Sequence, residues 1–160
     1  MSRYAILLGA FAVAVMVAGG PSFSQEPGQK GPLVVIVNIS NPINQLSAEE
    51  LEKIYLGKRG FWEWGKPIKM VDLVEEDMNE NKSARAIFSA MYMDKSLPAL
   101  KSYWIRAIFS GKGQPPLVFG RREDVVNYVS QNMEAIGYVR MGELGADNVK
   151  SIKILMDNKP

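Results

Sequence analysis

Short β-branched, apolar runs alternate with amphipathic helical segments from residue 33 onward, and this alternation most constrains the fold. The first run, 33–37, holds five consecutive apolar residues, four of them β-branched. It is too short for a helix and apolar on both faces, so we expect a buried strand. The same reasoning predicts further strands at 68–74, 117–119, 135–139 and 149–155.

Helix signals fall between these strands. Ser47 and Glu50 have the spacing of a capping box, and Gly57 suits the left-handed residue beyond a short helix of about ten residues. Further helices are predicted near residue 81, from Ser96, and from Glu123. The order β-α-β-α-α-β-α-β-β predicts an α/β domain with a mainly parallel sheet flanked by helices.

The N-terminus predicts export. Residues 4–19 are uncharged and apolar, and a small-x-small triplet ends at Ser24. An uncleaved membrane anchor is the alternative, but about 16 apolar residues fall short of the ~20 that span a bilayer. We therefore expect a signal peptide at 1–24 cleaved before Gln25, a flexible leader at 25–32, one domain at 33–160, and a periplasmic or secreted protein.

The amino-acid composition argues against several classes of function. The chain has no His and no Cys, which removes the usual proton shuttle, the thiol nucleophile and Cys/His zinc sites. Its 19 Lys and Arg stand against 17 Asp and Glu, a net charge of +2 without a basic run, which argues against a nucleic-acid partner. We expect a binding protein rather than an enzyme, with no cofactor and no catalytic or metal site.

Five blocks then stand in series along residues 33–140. They are Val35 to Asn38 with Asn41-Pro42, Leu46-Ser47, Ile54 to Lys58 followed by Trp62 and Trp64, Tyr103 to Pro116, and Ala135 to Val139. In this order they resemble the phosphate-binding proteins of bacterial ABC transporters, in particular the short single-domain members. The resemblance implies a single lobe of a type 2 periplasmic-binding-protein fold, because the chain is long enough for one of the two lobes of a complete member.

The resemblance also implies an anion site. In two-lobed relatives the second lobe contributes a Ser-Gly-Thr at a helix N-terminus. The corresponding stretch, 74–85, lacks that triplet and retains Ser83 and Arg85 as oxyanion candidates. Four carboxylates precede them, so the implied binding of phosphate or another oxyanion is expected to be weak; these are Glu75, Glu76, Asp77 and Glu80.

Two further groups are oxyanion candidates. Arg121 and Arg122 precede a predicted helix N-terminus, although ion pairs with Glu123 and Asp124 would also explain them. The second group follows the first strand, where open α/β sheets place ligand crevices, although Asn and Ser also form plain turns. It consists of Asn38, Ser40 and Asn41.

Two other patterns have simpler explanations. Asp77, Asn79 and Asn81 have the spacing of a calcium loop, but Lys82 stands where Gly is needed, so a solvated loop is favoured. Trp62 and Trp64 occupy alternate positions, with at least one expected in the core and an exposed one expected to mark a contact surface.

Two functions follow. The first is an exported solute-binding-like domain that binds phosphate or another small oxyanion. The alternative is a periplasmic protein-interaction module that has lost its ligand and binds a periplasmic or membrane protein. A secreted enzyme is a distant third, because no nucleophile and base stand together in the sequence.

Overall fold

The computed structural model describes residues 31–74, 83–141 and 148–156. The strands are β1 (Leu33–Asn38), β2 (Gln45–Ser47), β3 (Lys69–Leu73), β4 (Leu117–Phe119), β5 (Ala135–Arg140) and β6 (Val149–Leu155). The helices are α1 (Ala48–Tyr55), α2 (Ala84–Met93), α3 (Leu97–Phe109) and α4 (Arg122–Gln131). The five predicted strands and four predicted helices are confirmed, and β2 is an additional strand of three residues.

Several predictions lie outside the described residues. The signal peptide and most of the leader precede residue 31, and the acidic stretch with the calcium-loop pattern falls within 75–82. Within the described ranges, none of the helices combines the length and apolarity needed to cross a bilayer.

The strands form one sheet in the order β2-β6-β1-β5-β3-β4. β1 is antiparallel to both β5 and β6, whereas the other three neighbouring pairs are parallel. Five strands therefore run in one direction and β1 runs in the opposite one, which confirms a mainly parallel sheet. Consequently, the carboxyl end of β1 lies beside the amino ends of β5 and β6, with Val37 opposite Ile136 and Asn38 opposite Val149.

Both faces of the sheet are covered by helices. On one face α4 packs over β5, where a Cβ on Gly137 would come within 3.0 Å of Val125. On the other face α1 and α2 contribute rings to an aromatic cluster, in which Phe88 stacks on Tyr138 at 3.8 Å and meets Tyr55 edge-on at 4.7 Å. This double cover explains why β1, at the centre of the sheet, is apolar on both faces.

The capping box of α1 is confirmed. The backbone amide of Glu50 donates to the Ser47 hydroxyl at 3.1 Å, and the Glu50 carboxylate accepts from the Ser47 amide at 2.9 Å. That amide, assisted by the Arg59 guanidinium, lowers the pKa of Glu50. Gly57 beyond the helix has a φ of 68°, as its predicted left-handed role requires.

The expectation that at least one of the paired tryptophans is buried is confirmed. Trp62 is 2% exposed, and its indole N–H donates to the carbonyl of Glu134 at 2.9 Å. Trp64 stacks on it with ring centroids 5.0 Å apart. The strongly exposed aromatic side chain of this turn is Phe61, at 64% exposed.

Candidate functional site

The predicted site residues fall at two opposite edges of the sheet, because β1 runs against the other strands. We call the edge where β1 ends the asparagine edge; it carries Asn38, Ser40 and Asn41. We call the edge where β3 and β4 end the arginine edge; it carries Ser83, Arg85, Arg121 and Arg122. Four of the seven predicted residues therefore lie at one edge of the sheet, on helices that cover its two faces, and the other three lie at the opposite edge.

At the asparagine edge, Asn38 caps the end of α4. Its side-chain amide donates to the carbonyls of Val129 and Ser130 at 3.0 and 2.7 Å, and its side-chain oxygen accepts from the amide of Ser40 at 2.9 Å. The residue is 7% exposed. Both donors of this amide are thus directed at backbone carbonyls in the last turn of α4, of which that of Val129 also accepts from the amide of Asn132 at 3.3 Å.

Asn41 fixes the neighbouring loop in the same way. Its amide donates to the carbonyl of Met133 at 2.9 Å, its oxygen accepts from the amide of Ile43 at 3.0 Å, and it is 1% exposed. Ser40 is exposed, but it lies beside the carboxyl end of α4, where the helix dipole is negative and disfavours an anion. The geometry of this edge serves loop structure.

At the arginine edge, α2 is the next helix after β3 and begins at Ala84. Ser83 is the N-cap, with its hydroxyl accepting from the amide of Ala86 at 3.2 Å, and it is 6% exposed. Arg85 lies in the first turn. The helix thus begins within three residues of the predicted start near residue 81, with the Ser83 hydroxyl as its cap.

Arg85 pairs with Asp72, a residue that the sequence did not single out. The guanidinium Nε lies 2.9 Å from Asp72 Oδ2, and the Tyr138 hydroxyl donates to the other carboxylate oxygen. The Asp72 side chain is 5% exposed, whereas that of Arg85 is 31% exposed. A lone acidic residue in an apolar strand was the available signal, since a buried carboxylate needs a partner.

The surroundings of Asp72 shift its pKa and the pKa of the neighbouring Tyr138. Burial raises the pKa of the Asp72 carboxyl, and Arg85 and the Tyr138 hydroxyl only partly offset this effect. Burial and the nearby Asp72 carboxylate also raise the pKa of Tyr138 well above its usual value, so the phenol remains a hydrogen-bond donor. The cluster thus holds one guanidinium at the protein surface through a buried carboxylate.

The start of α4 supplies the second pair of cations. Arg121 makes two 2.9 Å hydrogen bonds to the Asp124 carboxylate, and its side chain is 74% exposed. Arg122 lies 3.9 Å from Glu123 and is 28% exposed. The ion pairs offered as the alternative explanation of these arginines are therefore present.

The two helix starts lie at the same edge of the sheet, α2 on the face of Tyr138 and α4 on the face of Gly137. β3 and β4 pair in parallel with Leu73 opposite Phe119, and the amide of Val74 donates to the carbonyl of Phe119 at 2.9 Å. Two positive helix ends with arginines in or before the first turn thus share one edge, which favours an anion electrostatically. Among the described residues no group of three or more acidic side chains converges as a metal site requires.

Comparison with known proteins supports the fold. No protein-family model and no curated protein matches the sequence. An ABC-type phosphate transport receptor from Vibrio cholerae is similar in structure, with a TM-score of 0.57, 21% identity, and coverage of 76% of this chain and 45% of the receptor. A putative phosphate ABC transporter substrate-binding protein with bound phosphate from Clostridium perfringens is also similar. Its TM-score is 0.55 at 21% identity, and the match covers 76% of this chain and 44% of that protein.

A third similar structure is a possible phosphate binding protein from Planctomyces limnophilus, with a TM-score of 0.55, 17% identity, and coverage of 79% of this chain and 42% of that protein. These matches confirm that the chain has the fold of part of a phosphate-type substrate-binding protein. The chain spans less than half the length of each of these proteins.

Proposed function

We propose that the chain is an exported solute-binding-like domain that binds phosphate or another small oxyanion weakly, without catalysing a reaction. The observation that carries this proposal is that two helix starts lie at the arginine edge, one on each face of the sheet. Ser83 and Arg85 open α2, and Arg121 precedes α4, at the adjacent ends of β3 and β4. Helix N-termini and guanidinium groups are the usual donors to an oxyanion.

The same edge explains why binding should be weak. Arg85 is engaged by the buried Asp72 and Arg121 by Asp124, so an anion must compete with carboxylates already in place. A single lobe also leaves one side of the ligand in water, where salt screens the attraction. We expect a dissociation constant no tighter than about 1 mM, equivalent to roughly 4 kcal/mol.

The proposal also includes export of the protein from the cytoplasm. The apolar segment 4–19 and the triplet ending at Ser24 support a signal peptide cleaved before Gln25 and a periplasmic or secreted location. Intact mass of the protein recovered from its native host tests this part: a chain beginning at Gln25 supports it, and a chain retaining residues 1–24 contradicts it.

Calorimetric titration with sodium phosphate tests the binding, on protein shown to be monomeric by sedimentation equilibrium. The expected result is saturable heat at about millimolar phosphate, weakened at least severalfold by Ser83→Ala and by Arg85→Gln. Arg106→Gln is the matched control, because Arg106 is an exposed arginine on α3. Micromolar affinity in the monomer would contradict weak, single-lobe binding.

A second candidate function is a protein-interaction module that has lost its ligand. The observation favouring it is the Arg85–Asp72 pair, in which a carboxylate of the protein already occupies a cation of the arginine edge. Absence of any saturable heat up to about 100 mM phosphate, in a folded protein, would favour this module over the oxyanion binder.

A further inference from the structure

The outer face of α3 exposes an apolar stripe. Ile105, Ile108 and Phe109 are 46%, 53% and 89% exposed, and their spacing of three and four residues places them on one side of the helix. The inner side packs Leu100 and Trp104 into the core at 3% and 5% exposed. The stripe therefore does not contribute to the packing of α3 against the core. Its largest side chain, Phe109, is almost fully exposed to solvent.

Positive charge surrounds this stripe. Residues 95–120 contain four Lys and Arg and no Asp or Glu, whereas the rest of the chain has fifteen Lys and Arg against seventeen Asp and Glu. Lys101 and Arg106 are exposed on α3, and Lys112 is exposed just beyond it. The fourth cation, Lys95, is half-buried with its amine 6.0 Å from the centre of the Tyr103 ring.

An open groove beside α3 continues the same chemistry. Lys101 and Arg85 are the charged residues that line it, and its other described lining residues are apolar, among them Pro98, Ile105 and Ile108. The described part of the groove thus presents two cations among apolar side chains and no carboxylate. This combination complements a surface that is apolar beneath and anionic on top.

We propose that the α3 face docks onto an anionic phospholipid bilayer surface. Its exposed side chains project outward, and a bilayer interface accepts projecting Phe and Ile without a complementary pocket. Long Lys and Arg side chains beside them reach the headgroup phosphates while their stems stay with the apolar side chains. A protein partner would instead need a surface shaped to fit the projecting side chains, with acidic groups near the cations.

This surface is distinct from the proposed phosphate function except at Arg85, which lines the groove and also belongs to the arginine edge. We therefore leave Arg85 out of the test and change residues of α3 and its flank. Loss of phosphate binding and loss of bilayer docking can then be scored separately, each with its own variants.

Co-sedimentation with vesicles tests the proposal, comparing phosphatidylglycerol-phosphatidylcholine mixtures with phosphatidylcholine alone. Every variant keeps the same N-terminus, so any contribution of the apolar segment 4–19 is equal throughout. Phe109→Ser should lower partitioning onto the anionic vesicles about tenfold or more. Met133→Ser is the matched control, because Met133 is an exposed apolar residue, 41% exposed, that follows α4.

A second variant tests the contribution of charge by combining Lys101→Gln with Lys112→Gln. Each lysine contributes about fivefold, so the double variant should lower partitioning onto the anionic vesicles about 25-fold. Lys66→Gln with Lys153→Gln removes the same charge from exposed positions elsewhere and should change it far less. Circular dichroism confirms that each variant is folded.

Three results would overturn the proposal. The first is equal binding of the wild-type protein to neutral and anionic vesicles. The second is binding to anionic vesicles at the wild-type level by both Phe109→Ser and the Lys101→Gln, Lys112→Gln double variant. The third is binding to soluble polyglutamate, dependent on Lys101 and Lys112, without binding to anionic vesicles, which would assign the surface to an acidic protein.

Discussion

The two edges of the sheet carry similar polar residues and use them differently. At the asparagine edge, the amides of Asn38 and Asn41 point at backbone carbonyls and are buried. At the arginine edge, Arg85 and Arg121 are partly or largely exposed and pair with carboxylates. A carbonyl cannot be displaced from its asparagine without unfolding the loop, whereas the exposed Arg121–Asp124 pair exchanges partners at little cost.

The difference follows from strand direction. Asn38 stands at the carboxyl end of its strand, as ligand-binding residues of open sheets often do, but β1 runs against the other strands and meets the negative end of α4. Ser83 and Arg121 follow strands that run with the majority and meet positive helix ends. Strand direction, more than residue type, decides which polar cluster is suited to an oxyanion.

The largest expected effect tests the structural role of the asparagine edge. Asn38→Ala removes the side-chain hydrogen bonds to two backbone carbonyls and one backbone amide and should lower the free energy of unfolding by about 3 kcal/mol, measured by urea denaturation. Asn38→Asp, which keeps the shape and removes the donor, should also destabilise. Asn127→Ala, at an exposed asparagine on α4, should change stability by no more than about 0.5 kcal/mol. An unchanged unfolding midpoint in Asn38→Ala would remove the contrast between the edges.

The next effect concerns the buried carboxylate of the arginine edge. Arg85→Gln leaves the Asp72 charge without a cation, held by the Tyr138 hydroxyl and the Leu73 backbone alone among its described partners, and should cost about 2 kcal/mol of folding stability. Adding Asp72→Asn removes that charge and should recover most of the loss, while phosphate binding stays impaired. Additive effects of the two substitutions in a double-mutant cycle would show that the pair is not coupled.

A smaller effect is expected at α1, which belongs to neither edge. Ser47→Ala removes the hydroxyl that accepts from the Glu50 amide and should cost about 1 kcal/mol through loss of the cap. Thermal or urea unfolding measures it, and phosphate binding should be unchanged. A change in phosphate affinity would mean that the arginine edge depends on a distant helix.

The smallest effect is a pH dependence. Because the folded-state pKa of Asp72 is raised above its ordinary value of 3.8, folding favours its protonated form. As the pH falls from neutral through the folded-state pKa, the free energy of unfolding of the wild type should therefore rise relative to that of Asp72→Asn. The same difference should disappear as the pH returns to neutral. Urea unfolding of both proteins at several pH values measures the difference. A difference that stays constant from neutral pH down to about 4 would contradict a raised pKa.

Most of the fold could be predicted because its signals are local. The five predicted strands, the capping box at Ser47 and the left-handed Gly57 each depend on residues near in sequence. β2 was missed because its three residues form a strand only by pairing with β6, more than 100 positions later. Its sequence, Gln45–Ser47, carries no alternation long enough to indicate a strand.

The candidate site was harder to predict for the same reason. The helix starts at Ser83 and Arg121 have local signals, but the direction of β1 depends on pairing with β5 and β6. The partnership of Asp72 with Arg85 and Tyr138 also joins three separate elements. Residue types therefore gave oxyanion candidates at both edges, while the sheet topology distinguished the two edges.

Amide chemical-shift mapping with sodium phosphate, against sodium chloride at equal ionic strength, shows which edge of the sheet binds the anion. Saturable shifts are expected at about millimolar phosphate in the first turns of α2 and α4, at 84–87 and 122–125, with none at 38–43. Shifts concentrated at the asparagine edge, or no saturable shift at either edge, would contradict binding of the oxyanion at the arginine edge.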